Sequence, residues 1–125
     1  MSKKLSNQQK ARNLWIRALR SGKYRWGKEE LHPAEGKFCC LGVLCEIAIE
    51  QGVIKSYMPH YGFLPKEVRK WVGLSSCAGD FDAPISPKEN NLAAVNDGSK
   101  RNPFEKIANM IEKQHPGLFL DGKEK

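Results

Sequence analysis

Phe38-Cys39-Cys40-Leu41-Gly42-Val43-Leu44-Cys45 is the stretch on which the fold of this chain turns. It opens a helix expected from about Cys39 to Gln51, with Gly52 as its stop. Leu41, Val43, Leu44, Ile47, Ala48 and Ile49 cover most of the circumference, and only Glu46 and Glu50 form a polar stripe. A helix that is apolar nearly all round is normally enclosed by the rest of the protein. This one is therefore read as the central element. Gly42 costs about 1 kcal/mol relative to Ala in a helix interior, and it suits a close approach by another backbone or a ligand.

Upstream, a first helix is expected from about Asn7 to Ser21. Ser6 and Gln9 have capping-box spacing, and Ala11, Trp15 and Ala18 recur at helical spacing with Leu14 and Leu19 beside them. Lys10, Asn13, Arg17, Arg20 and Ser21 project from the other side, and Gly22 ends the helix. Tyr24 and Trp26 alternate with Lys23 and Arg25, a strand-like pattern. A return strand through Lys37-Phe38 would complete a short hairpin.

Downstream, 53–63 reads as a loop anchored by Tyr57, Tyr61 and Phe63. Pro65 opens a short helix with Val68, Trp71 and Val72 on its apolar side and Gly73 as its stop. Residues 75–91 read as a long loop with one strand at Phe81. Leu92 to Val95 fits a helical turn or a strand, and Asn96-Asp97-Gly98 is a turn signal. Asn102, Pro103 and Glu105 start a last helix carrying Phe104, Ile107, Ala108 and Ile111, which ends near Gln114. Trp71, Phe104 and Ile107 are assigned to the core.

The fold class is therefore mainly α, with α+β as the alternative. The expectation is one compact domain over 1–125, with a buried central helix, flanking amphipathic helices and at most a small β-hairpin. Its core spans about 6–118, and 1–5 and 121–125 are expected to be disordered. No run approaches the roughly 20 apolar residues of a membrane span, and the N-terminus lacks the apolar stretch of a signal peptide. A cytoplasmic protein with four free thiols is expected.

The net charge of +7 is concentrated at one end. Residues 1–30 hold nine Lys or Arg against Glu29 and Glu30, and the remaining residues balance at twelve of each sign. A basic concentration of this kind suits a phosphate-bearing or acidic partner, whether a nucleotide-type small molecule, a protein or a nucleic acid. Arg17, Arg20, Ser21 and Lys23 can hold phosphates, and Tyr24 or Trp26 can stack on a base. Arg20-Ser21-Gly22-Lys23 is not a P-loop, because it lacks the upstream glycine and the following Ser or Thr. The competing reading packs Tyr24 and Trp26 on the core and leaves the charges to water.

Cys39 and Cys40 open the central helix, where the dipole favours a thiolate. Cys39 lies near the polar stripe and is expected to be partly exposed. In an enzyme, Cys39 or Cys40 would be the nucleophile, with His60 or His32 as base and Asp97 orienting it. The competing reading makes these cysteines small core residues. No cofactor is expected. No metal is expected either, because Cys39, Cys40 and Cys45 lack the spacing that aligns two ligands on one helix face. Asn96 and Asp97 fit either a ligand contact or local turn chemistry.

The longest distinctive patterns are Trp15-Ile16-Arg17-Ala18-Leu19-Arg20-Ser21-Gly22, with Tyr24 just beyond, and Cys39-Cys40-Leu41-Gly42-Val43-Leu44-Cys45. Leu64-Pro65, Trp71-Val72-Gly73-Leu74, Asn96-Asp97, and Phe104 with Ile107-Ala108 and Ile111 extend them along nearly the whole chain. In these features the chain resembles a group of small bacteriophage and prophage proteins, departing from them in the insertion-like Ser99-Lys100-Arg101-Asn102-Pro103. The resemblance implies a setting in the host cytoplasm and a counter-defence or host-modulating role. Sequestration of a nucleotide signal without catalysis is the expected activity, with Arg17, Arg20, Ser21, Lys23, Tyr24, Trp26, Cys39, Asn96 and Asp97 as candidate ligand contacts. The alternatives are inhibition of a host protein or nucleic-acid binding through the basic face, and a cysteine-dependent hydrolase.

Overall fold

Ser6 starts the described chain as it starts the first helix: its hydroxyl accepts a hydrogen bond from Gln9 N–H at 3.1 Å. The computed structural model describes residues 6–27, 37–55, 64–82 and 90–120. Among them are five helices, α1 (Asn7–Arg20), α2 (Cys40–Glu50), α3 (Lys66–Val72), α4 (Leu92–Gly98) and α5 (Phe104–Glu112), and two strands, β1 (Arg25–Trp26) and β2 (Lys37–Phe38). The fold is mainly α with one small two-stranded sheet. None of its described helices is long and apolar enough to cross a membrane.

As expected of an element apolar on nearly every side, α2 is the centre. Eight of its eleven residues are buried, from Cys40 to Cys45 without a break and then Ile47 and Ala48. The helices α1, α3 and α4 all pack against it, and α1 also lies along α5. The buried stripe of α1 is Ala11, Arg12, Trp15, Ile16 and Leu19, with Leu14 and Ala18 at its margin. It is turned toward Ile16 relative to the stripe read from Ala11, Trp15 and Ala18, because α1 serves α2, α3 and α5 at once.

A buried arginine stands in this stripe. Arg12 Nε donates to Val72 O at 2.9 Å, and its guanidinium lies 3.8 Å from the centre of the Phe119 ring. The partner carbonyl belongs to the last turn of α3, the negative end of that helix's dipole. Gly73 follows in the left-handed conformation, φ +79°, and a Cβ there would come within 2.6 Å of Arg12 Nη2. Beyond α5, Leu118 and Phe119 are also buried, and an isolated antiparallel bridge joins Leu74 to Phe119.

Five expectations are corrected. The strands are parallel, with Arg25 beside Lys37 and Trp26 beside Phe38, and do not form a hairpin. The reason is Asn96: its side chain bonds both Gly27, which follows β1, and Cys40, which follows β2. Both strands must therefore run toward the same point. Asn96-Asp97-Gly98 is not a connecting turn but the end of α4, whose start is capped by Asn91 Oδ1 accepting from Ala94 N–H at 2.7 Å. Trp71 is only half-buried, since Val68 and Val72 take the inner side of α3. The cap of α5 is shifted by one residue: Asn102 Oδ1 accepts from Phe104 N–H, and Pro103 precedes the helix. Phe81 is buried beside an isolated bridge from Asp80 to Asn91 rather than within a strand. Tyr57, Tyr61, Phe63, residues 1–5 and residues 121–125 lie outside the described residues.

Gly22 and Gly73 both have φ near +80°, but nothing lies within 4 Å of a Cβ at Gly22. Gly22→Ala is expected to lower stability by about 1 kcal/mol through conformation alone. Gly73→Ala is expected to lose about 2–3 kcal/mol, because the methyl group also displaces the Arg12 clamp. Urea denaturation of both variants checks this, and equal losses would contradict the clamp.

Candidate functional site

Cys39 is the N-cap of α2. Its backbone is extended and its sulfur accepts from Gly42 N–H at 3.3 Å. Cys40, the first helical residue, is enclosed on every side. Its N–H donates to Asn96 Oδ1 at 3.1 Å, its carbonyl accepts from Trp15 Nε1 at 3.0 Å, and its thiol donates to Leu92 O. Asn96 is fully buried. Its Nδ2 donates to Gly27 O at 2.9 Å and to Asp97 Oδ1 at 3.0 Å, while its carbonyl accepts from Trp26 Nε1 at 3.3 Å.

This junction corrects several expected site residues. Cys39 is 6% exposed, so it does not face solvent. Burial pushes its thiol up from the ordinary value of 9.0, and the Asp97 charge adds to that against the helix-start N–H groups. Burial raises Cys40 further, and it lifts Cys45 to about 12. Desolvation of a thiolate outweighs the helix-terminus stabilisation. The three thiols are therefore neutral packing groups rather than activated nucleophiles. Asn96 and Trp26 spend their polar groups on the scaffold. His32 and His60 lie outside the described residues. Among the described residues, no group of three or more His, Cys, Asp and Glu side chains could hold a metal ion.

The basic cluster also divides. Arg20 turns toward α5, where its Nε meets Glu105 Oε2 at 2.8 Å and its Nη2 meets Glu112 Oε1 at 3.1 Å and Asn109 Oδ1. These bonds raise the Arg20 pKa and lower that of Glu112. Arg20 is thereby matched with carboxylates of α5.

Arg17, Ser21, Lys23 and Tyr24 do come together. They line an open groove of about 230 Å³ between the end of α1 and the end of α2, together with Leu14, Ala18, Ile47, Glu50 and Gln51. Arg17 and Lys23 are exposed. Tyr24 donates its hydroxyl to Glu50 Oε1 at 3.1 Å, and its ring meets Phe38 edge-on with centroids 5.3 Å apart. Burial, followed by Glu50, pushes the Tyr24 hydroxyl up to about 12. On the other side of Arg17 and Ser21, a second open groove of about 470 Å³ includes Arg20 and Glu112. Each groove is lined by two cations and one carboxylate; in the second Arg20 already bonds Glu112, whereas in the first the carboxylate of Glu50 is met by the Tyr24 hydroxyl. The roles of Glu50 and Gln51 were not singled out from the sequence. Their position at the foot of the polar stripe of α2 was the available signal.

Asn96→Ala would orphan the buried Cys40 N–H and the half-buried Gly27 carbonyl, at about 1–3 kcal/mol for the first and less for the second. Chemical denaturation is expected to read a loss of about 3 kcal/mol, and a loss below about 1 kcal/mol would mean the junction is dispensable. For the thiols, alkylation followed by mass spectrometry at neutral pH should label the half-buried Cys77 first. Cys39, Cys40 and Cys45 should react only on unfolding. Their native pKa values are raised, so the native state binds protons that the unfolded state releases. Their contribution to stability is complete below about pH 9 and falls as pH rises above that value.

Comparison with curated proteins and with solved structures gives no match. A family model described as a domain of unknown function (DUF8296) matches residues 7–115, a span that includes both grooves and the Asn96 junction, and the chain belongs to that family.

Proposed function

We propose that the protein binds a small nucleotide-type anion, without catalysis, in the groove between the ends of α1 and α2. One observation carries this reading: Arg17, Ser21, Lys23 and Tyr24 converge there, two cations and a hydroxyl beside an aromatic ring. Arg and Lys side chains supply charge-assisted hydrogen bonds to phosphate. They also answer an electrostatic objection. Both helices present C-terminal ends here, and helix C-termini repel anions, so the side chains and not the backbone must hold the phosphate. The acceptor end of the groove, Glu50 and Gln51, suits the N–H donors of a base. At about 230 Å³ the groove is smaller than the roughly 300–1,000 Å³ of drug-sized sites, which suits part of a nucleotide rather than a large cofactor.

In the phage setting implied by the resemblance, such binding would sequester a host nucleotide signal in the host cytoplasm. The burial of Cys39, Cys40 and Cys45 favours this over the cysteine hydrolase. Inhibition of a host protein through the basic face is the second reading. Exposed Lys10, Arg17, Lys23 and Arg25 favour it, because none is withdrawn into the core.

Thermal-shift and calorimetric titration against mono-, di- and cyclic nucleotides test the proposal. A stabilising shift is expected with at least one of them. Arg17→Glu or Lys23→Glu should weaken binding about tenfold or more, since each removes a contact to a charged group. Arg20→Ala should leave affinity within about twofold, because its bonds go to α5. No shift with any nucleotide would overturn the proposal.

A further inference from the structure

The two-stranded sheet carries a pairing that fold stability does not explain. Arg25 and Lys37 are in-register partners, and both are exposed. Neighbouring strands lie about 4.8 Å apart, so two cations are held side by side, which is unfavourable between paired strands. Their neighbours Trp26 and Phe38 are half-buried and pack on the core. The sheet thus has one apolar face turned inward and one cationic face turned to solvent. Gly27 keeps the arrangement close: a Cβ there would come within 2.6 Å of Lys37 Cβ. Lys23, two residues before Arg25, lines the groove of the proposed function. The cations Arg17, Lys23, Arg25 and Lys37 therefore lead from the groove onto the sheet.

We infer that the ligand is a single-stranded oligonucleotide rather than a mononucleotide. One nucleotide sits in the groove, and the following phosphodiesters lie on Arg25 and Lys37. This rests on the proposed nucleotide reading and extends it. Two like charges placed side by side bind a polyanion without first being released from internal carboxylates, as Arg20 would have to be. A chain of phosphates offers each cation its own partner, and it gains affinity by counterion release. A mononucleotide has no phosphate left for Arg25 and Lys37 once Arg17 and Lys23 are satisfied.

The test compares a thymidine 5′-monophosphate, the corresponding dinucleotide and a hexanucleotide by fluorescence anisotropy and calorimetry, each at several salt concentrations. Affinity is expected to rise about tenfold or more from monomer to hexamer, with a steeper salt dependence for the hexamer. The double substitution Arg25→Gln with Lys37→Gln should abolish the gain with length and flatten the salt dependence. It should leave monophosphate binding within about twofold. Circular dichroism and Tm verify that the variant folds, and Arg25→Lys with Lys37→Arg should restore the gain. If the monophosphate and hexamer bind equally, or if the double variant weakens both alike, the oligonucleotide inference is overturned while the groove reading stands. If neither binds, the oligonucleotide inference is overturned, and the groove reading is decided separately by the full set of mono-, di- and cyclic nucleotides.

Discussion

Asn96 makes the rest of the architecture necessary. One buried amide meets the N–H that opens α2, the carbonyl that follows β1 and the neighbouring Asp97 carboxylate. Its own main chain receives the Trp26 indole, and the Trp15 indole closes on the carbonyl of Cys40. Four segments distant in sequence are thereby fixed around a single polar point inside an apolar core. Buried polar groups are costly unless every partner is present. Among the described residues none of the buried side-chain nitrogen or oxygen atoms lacks a partner. The geometry of β1, β2 and the starts of α2 follows from that requirement, and so does the parallel direction of the strands.

The fate of the positive charge in the first thirty residues is the second organising fact. Arg12 is taken into the core, where the end of α3 and the face of Phe119 receive it. Arg20 is committed to the carboxylates of α5. Arg17, Lys23 and Arg25 stay exposed. The sequence shows one basic block, but the fold divides it into a buried anchor, a surface clasp and a solvent-facing remainder. The proposed binding surface draws on this last share, joined by Lys37 of β2.

What could be read in advance was what depends on neighbours along the chain. The Ser6 cap, the apolar circumference of α2 and the glycine stops at Gly22 and Gly73 all stand where local chemistry places them. What could not be read was set by contacts across the fold. Asn96-Asp97-Gly98 has every local mark of a turn, yet α4 runs through it because Asn96 finds its partners in α2 and after β1. Cys39 has the position of an activated thiol, yet burial decides its protonation. Of the candidate ligand contacts, Arg17, Ser21, Lys23 and Tyr24 are gathered in one groove, while Arg20, Trp26, Cys39 and Asn96 are spent on structure. Side-chain type alone does not distinguish these two fates, because the same guanidinium or indole serves either.

A sulfur at the N-cap of the central helix has one further consequence. Thiols are weak hydrogen-bond acceptors, so Cys39 gives α2 a poorer local start than Ser or Asp would. The stronger cap is Asn96, 56 residues beyond the N–H that it accepts. The start of α2 is thus completed by tertiary assembly. Closing so long a loop carries an entropic cost that must be met before the cap is gained. The most apolar helix of the chain consequently gains its full N-terminal order only as α4 docks, and its stability and the assembly of the core are one cooperative event.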